Sequence, residues 1–308
     1  MFARDSLWHV RRAACLALPA ICKRLPPQLL RTQIVANIQY FALDTSRNVR
    51  SGALEACGEL IYLFHDDPLG VPEEVLEFYL GQVPVQTPTT IPPDNPFSPL
   101  ASVLDSPGEG YYNGPPSWIP TTTSDASHAK DPDRPVMCAF NIPAVVLTLG
   151  RDNWPRLRSF YLELSRDKTD KVRQSLASSF HEIARIIGPA HADDTLLEPF
   201  SCFLSDYEVI QSAVLEHVTS IVFAFGEESG KQALDLLTER WSTIRNWRMR
   251  EKVAKDLREL GAHFILVENG AEEILRLMAR AFKDPVAAVR DEAVYAVSRL
   301  RLVVAVWR

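Results

Sequence analysis

Few residues in this sequence have the type and spacing to do chemistry. His181-Glu182-Ile183-Ala184-Arg185 starts like a zinc-protease helix, in which two histidines one turn apart hold the metal and the glutamate activates water. The second histidine is missing, because Arg185 stands in its place, so the segment reads as a turn of surface helix. Asp193-Asp194 reads as an N-terminal helix cap and not as half of a cation site. The five cysteines, Cys15, Cys22, Cys57, Cys138 and Cys202, show no CxxC spacing and no nearby histidine pair, which argues against a zinc site or a disulfide framework. No GxGxxG, phosphate-binding loop or GxSxG occurs. The sequence therefore predicts no catalytic residues, no cofactor, no metal site and no enzymatic activity.

What does recur is an aspartate and an arginine at fixed spacing. Asp5, Asp44, Asp167 and Asp284 each precede a valine by five residues (Val10, Val49, Val172, Val289) and an arginine by six (Arg11, Arg50, Arg173, Arg290). Degenerate copies run Asp206-Tyr207-Glu208-Val209-Ile210-Gln211 and Asn246-Trp247-Arg248-Met249-Arg250. A turn aspartate can accept hydrogen bonds from the open N–H groups of the following helix and complement its dipole. The arginine is placed to reach the aspartate of a neighbouring copy, so these eight residues are expected to stabilise the stack through a ladder of charge pairs. Small residues just after the arginine let neighbouring helices approach closely.

The copies set a period. The valine-equivalents at 10, 49, 172, 210, 249 and 289 are spaced by 39, 123, 38, 39 and 40 residues. A period near 40 built from two helices is the HEAT or armadillo length. The expected fold is all-α, a HEAT-type superhelix or solenoid of about seven helix pairs, each an A helix, a turn bearing the aspartate and a B helix. Predicted A helices include 27–43, 71–83, 153–165, 193–204, 229–241 and 270–282; predicted B helices include 172–187 and 289–302. The long step holds one unmarked copy and a Pro-rich segment. This divides the chain into repeats over 1–83 (the first incomplete), an insert over 84–135 expected to be disordered, and repeats of the same solenoid over 136–308. The insert carries Phe97, Tyr111, Tyr112 and Trp118 and three Ser/Thr-Pro steps, Thr87-Pro88, Ser98-Pro99 and Ser106-Pro107.

Such a surface suits protein binding, since stacked helix pairs present a long face and no enclosed pocket. The turns of successive copies form one ridge, and Trp8, Arg47, Lys168, Tyr207, Trp247 and Arg248 are its candidate contact residues. Exposed tryptophans anchor partners well. A net charge of −6 gives no reason to expect nucleic acid, and no apolar run approaches the length of a membrane span. Reduced cysteines among apolar neighbours point to the cytoplasm, the nucleus or both.

Several stretches resemble the regulatory subunit 1 family of protein serine/threonine phosphatase 4: Asn141–Gly150, Trp154, Asp167–Arg173 and Leu176-Ala177-Ser178-Ser179-Phe180-His181-Glu182-Ile183. Trp8-His9-Val10-Arg11, Leu18–Cys22 and Asn48–Ala53 fit the same family. The resemblance implies a HEAT-repeat relative of the phosphatase 2A scaffold. Its role would be to bind a phosphatase catalytic subunit of the 4 or 2A type and direct it to substrates, with substrates or further regulatory proteins as additional partners. The alternative is a HEAT adaptor of another class, such as a transport receptor or a chromosome- or vesicle-associated scaffold. The first motif starts at residue 5, with no room for its A helix, and the chain stops right after a B helix, so the sequence is expected to be a fragment lacking terminal repeats.

Overall fold

The computed structural model describes residues 2–81, 131–267 and 270–306. The predicted insert therefore lies outside the described residues up to residue 130. Among the described residues the regular structure is helical throughout. Contacts divide the chain into two units, Met1–Cys138 and Ala139–Arg308.

The first unit contains α1 (Trp8–Cys22), α2 (Pro27–Ala42), α3 (Arg47–Tyr62) and α4 (Glu73–Leu80), and the opening turn of α5 (Arg134–Leu149). Helices α1 and α3, both B helices, pack along their lengths, with α2 against α3. Gly52 permits that approach, because a Cβ there would lie 3.1 Å from Cγ of Arg12. Val49, Ala53, Cys57, Leu60 and Ile61 of α3 recur at helical spacing and are buried.

The second unit holds the rest of α5, then α6 (Trp154–Ser165), α7 (Asp170–Ile187), α8 (Pro189–Thr195), α9 (Leu197–Leu204), α10 (Glu208–Leu215), α11 (Val218–Ala224), α12 (Glu227–Arg240), α13 (Trp247–Phe264), α14 (Gly270–Phe282) and α15 (Ala287–Val306). Helix α7 shows why the sequence folds this way. Val172, Leu176, Phe180, Ile183 and Ile187 fall on one face and are fully buried. Each such side chain contributes about 1.5–3 kcal/mol when removed from water. The helix ends where Gly188 takes φ +74°, a conformation that L side chains rarely adopt.

The predicted A helices appear at 27–42, 73–80, 154–165, 227–240 and 270–282, within a few residues of their expected limits. The predicted continuous helix 193–204 does not. It is two helices, α8 and α9, broken at Leu196. Pro199 has no N–H for the Thr195 carbonyl, and its ring crowds that position. The B helix of the same copy is also broken, at Glu216–His217, which separates α10 from α11.

The unmarked copy between Val49 and Val172 has α4 as its A helix and α5 as its B helix. Its turn aspartate is Asp131, five residues before Val136, and Met137 takes the arginine place. The expected insert boundary at 135 is thus too late: Arg134 and Pro135 already belong to α5. Among the described residues α1 stands alone as the B helix of an incomplete first pair, and six complete A/B pairs, the second to the seventh, follow it.

Candidate functional site

Four of the turns that open B helices are built in the same way. The aspartate side chain accepts an N–H two residues on: Asp5 from Leu7 at 2.9 Å, Asp44 from Ser46 at 2.8 Å, Asp167 from Thr169 at 2.7 Å and Asp284 from Val286 at 2.9 Å. This bond closes the turn ahead of the helix and does not cap the first helical N–H groups as expected. Asp206 accepts instead from the adjacent Tyr207. In the sixth turn Ile244 takes the aspartate place, and Asn246 two residues on caps α13 by accepting from the Arg248 N–H at 3.1 Å.

The arginines link one turn to the next. Arg11 donates to both oxygens of Asp44 (Nε–Oδ2 2.7 Å, Nη2–Oδ1 2.8 Å), and its Nη1 donates to the Asp5 carbonyl. Arg50 does the same with Asp131, both bonds 2.8 Å, and with the Asp44 carbonyl. Arg173 pairs with Asp206 (2.6 and 3.0 Å) and the Asp167 carbonyl. Arg250 pairs with Asp284 (2.6 and 3.2 Å) and the Ile244 carbonyl. Arg290 bonds the Asp284 carbonyl at 2.7 Å. The Arg11, Arg50, Arg173 and Arg250 guanidiniums thus each spend two N–H groups on a carboxylate of the next copy and one on their own turn, a charge-assisted fork that also fixes geometry, while Arg290 binds only its own turn.

Burial strengthens these pairs unequally. The Asp284 carboxylate is fully buried and also accepts from the Trp241 indole at 2.9 Å. Burial by itself pushes the Asp284 carboxyl up, but the bonds from Arg250, the Val286 N–H and Trp241 outweigh it and hold the carboxyl below its ordinary value. Asp206 behaves alike: burial raises it, while Arg173 and the Tyr207 N–H lower it further. Asp131, Asp206, Arg250 and Trp241 complete the ladder, though none was among the residues expected to stabilise the stack. Asp206 and Arg250 were visible only as degenerate copies. Asp131 fell inside the predicted insert.

The six ridge candidates are not equivalent. Tyr207 is open, 70% exposed, with the Arg173 guanidinium 5.9 Å from its ring centre. Trp8 is 45% exposed at the first position of α1. Trp247 holds the same place in α13, half-buried, with Arg248 4.7 Å above its ring. Lys168 is exposed on the turn before α7. Arg47 is engaged in a 2.7 Å ion pair with Asp133.

The remaining candidates have packing roles. His181 is not on an open turn: its ring stacks on His217 at 3.7 Å, and its buried Nδ1 has no hydrogen-bond partner. Burial, then the His217 charge, lowers its pKa. Asp193 and Asp194 do not cap their own helix. Asp193 accepts the Gly226 N–H at 2.8 Å, and Asp194 pairs with Arg158. Cys15, Cys22, Cys57 and Cys138 are buried free thiols, and burial pushes Cys15 to about 12 and Cys138 to about 11. Among the described residues no three His, Cys, Asp or Glu side chains are grouped to hold a metal ion. Among the same residues no helix is long and apolar enough to cross a membrane.

Comparison with known proteins matches residues 138–240 to the protein phosphatase 4 regulatory subunit 1 middle domain. Serine/threonine-protein phosphatase 4 regulatory subunit 1 of Homo sapiens is 36% identical over 138 residues, and the Mus musculus protein of that name gives the same figures. The alignment covers 44% of this chain and 14% of each relative. The matched segment takes in α6 to α12 with most of α5, including the Arg173–Asp206 clamp and Tyr207. Residues 138–240 are thus similar to the middle domain of protein phosphatase 4 regulatory subunit 1, and the alignment spans about a seventh of the length of those relatives.

Proposed function

We propose that this chain is a non-catalytic regulatory subunit built of HEAT repeats, which holds the catalytic subunit of a serine/threonine phosphatase of the 4 or 2A type and directs it to substrates. The observation that carries the reading is the match of residues 138–240 to a domain of a named phosphatase regulatory subunit. The geometry supports it: within the second unit Lys168, Tyr207, Trp247 and Arg248 stand at or just before the starts of the B helices α7, α10 and α13, and within the first unit Trp8 stands at the start of α1. Side chains so placed offer anchors to a protein surface. The metals and reacting groups belong to the partner. Substrates or further regulatory proteins would bind elsewhere on the helical faces, nucleic acid would not be a ligand, and the complex would work in the cytoplasm or nucleus.

The reading is tested by expressing the tagged chain in cells and identifying what co-purifies. A phosphatase catalytic subunit in near-equal amount is the expected result. A transport, chromosome or vesicle component in its place, with no phosphatase, would overturn the reading.

A further inference from the structure

The ladder of clamps has a gap inside the second unit. At the joint between the fifth pair (α8–α9 with α10–α11) and the sixth (α12 with α13), both members of the clamp are replaced. Gln211 stands where Arg11, Arg50, Arg173 and Arg250 stand, and Ile244 stands where the receiving aspartate would be. Gln211 is buried and donates to the Leu204 carbonyl of its own copy at 2.6 Å, so it satisfies its own turn without reaching the next. Ile244 is buried too and can accept nothing through its side chain.

Packing at this joint differs in the same sense. Helices α13 and α15 touch along their length, whereas α10 and α11 meet α13 over much less of theirs. The break at His217 (φ −119°, ψ 22°) divides α10 from α11, and both halves pack chiefly on α7 and little on α13. The opposite edge of the joint is tied. Asp193 accepts the Gly226 N–H at 2.8 Å, and Phe223 lies against His263 with ring centres 5.0 Å apart.

We infer that the fifth–sixth joint is a hinge, tethered at the Gly226 edge and free to open at the turn edge between Gln211 and Ile244. Its motion would change the distance between Tyr207 and Trp247 while the clamped joints on either side move as blocks. Large motions concentrate where few contacts must break. If the ridge is the partner-binding face, a consequence that rests on the proposed function, the hinge lets it adjust to the partner. The hinge itself does not depend on that reading.

Amide hydrogen exchange of the whole chain tests it. The hinge predicts that α10 and α11 exchange about tenfold or more faster than α7 and α15, and that Gln211→Arg with Ile244→Asp, which restores the clamp, slows them. The reverse exchange at an intact joint, Arg173→Gln with Asp206→Ile, should speed α7 and α10. Equal exchange of α10–α11 and α7 in the unaltered protein would overturn the inference, whether or not either variant folds. So would a folded restored variant whose exchange is unchanged.

Discussion

Arg250 and Asp284 join the sixth and seventh helix pairs through two bonds, Nε–Oδ2 at 2.6 Å and Nη2–Oδ1 at 3.2 Å, and the aspartate side chain has no exposed surface. The same fork, less deeply buried, recurs at Arg11–Asp44, Arg50–Asp131 and Arg173–Asp206. One side-chain relationship thus carries much of the repeat architecture, and its energetics can be measured.

Removing one member of the buried pair leaves the other charged and unpaired. Asp284→Ala should cost roughly 3–5 kcal/mol, because Arg250 and the Trp241 indole both lose their acceptor. Asp133→Ala, which breaks the half-exposed pair with Arg47, should cost about 1 kcal/mol or less. Urea unfolding of the two variants checks the contrast. Equal losses would show that burial does not set the strength of these clamps.

Acid should loosen the stack through the same residues. Asp206 and Asp284 both sit below their ordinary values in the folded chain. A depressed carboxyl contributes stability that is present above its unfolded pKa of about 3.9 and is lost as pH falls through the folded value. Thermal melts are therefore expected to be steady for these groups above about pH 5 and to drop below pH 4. In Asp206→Asn with Asp284→Asn the neutral-pH melting point should be lower and the acid drop smaller. An acid drop of full size in that variant would assign it to other groups.

The third pair should close without the residues between its two helices. Arg134 donates to the Tyr79 carbonyl at 2.7 Å and also to the Phe78 carbonyl; Arg50 binds Asp131 and Arg47 binds Asp133. Gly81 ends α4 at φ +76°, directly against the Arg134 guanidinium. Replacing residues 82–130 by a short Gly/Ser linker should leave the melting temperature within a few degrees, since lengthening or shortening a closed loop changes its entropy only logarithmically. Loss of cooperative unfolding would show that those residues stabilise the stack.

The repeat and most of its A helices were legible in the sequence because aspartate, valine and arginine recur at one spacing and the apolar residues keep helical period. What stayed hidden has identifiable causes. Asp131 lies at the end of a Pro-rich stretch and is followed by Met137 instead of arginine, so the motif is incomplete there. Trp241 reads as one more apolar residue of an A helix, and only the packed structure brings its indole to Asp284. The break at His217 has no proline or glycine to announce it; its visible correlate is a ring stacked on His181. Of the ridge candidates, nothing in the sequence separates the open Tyr207 from Arg47, whose partner Asp133 is 86 residues away.

Binding of a purified phosphatase 4-type catalytic subunit tests the central claim most directly. Titration into the unaltered chain should give saturable one-to-one binding. Trp8→Ala, Tyr207→Ala and Trp247→Ala combined should weaken it by at least about tenfold, the range of two or three hot-spot truncations. The same variant should keep its helical content and melt close to the unaltered chain, because Trp8 and Tyr207 are exposed and Trp247 is only half-buried. No binding by the unaltered chain, or full binding by a folded triple variant, would contradict the account of a regulatory subunit that grips its phosphatase along the turns.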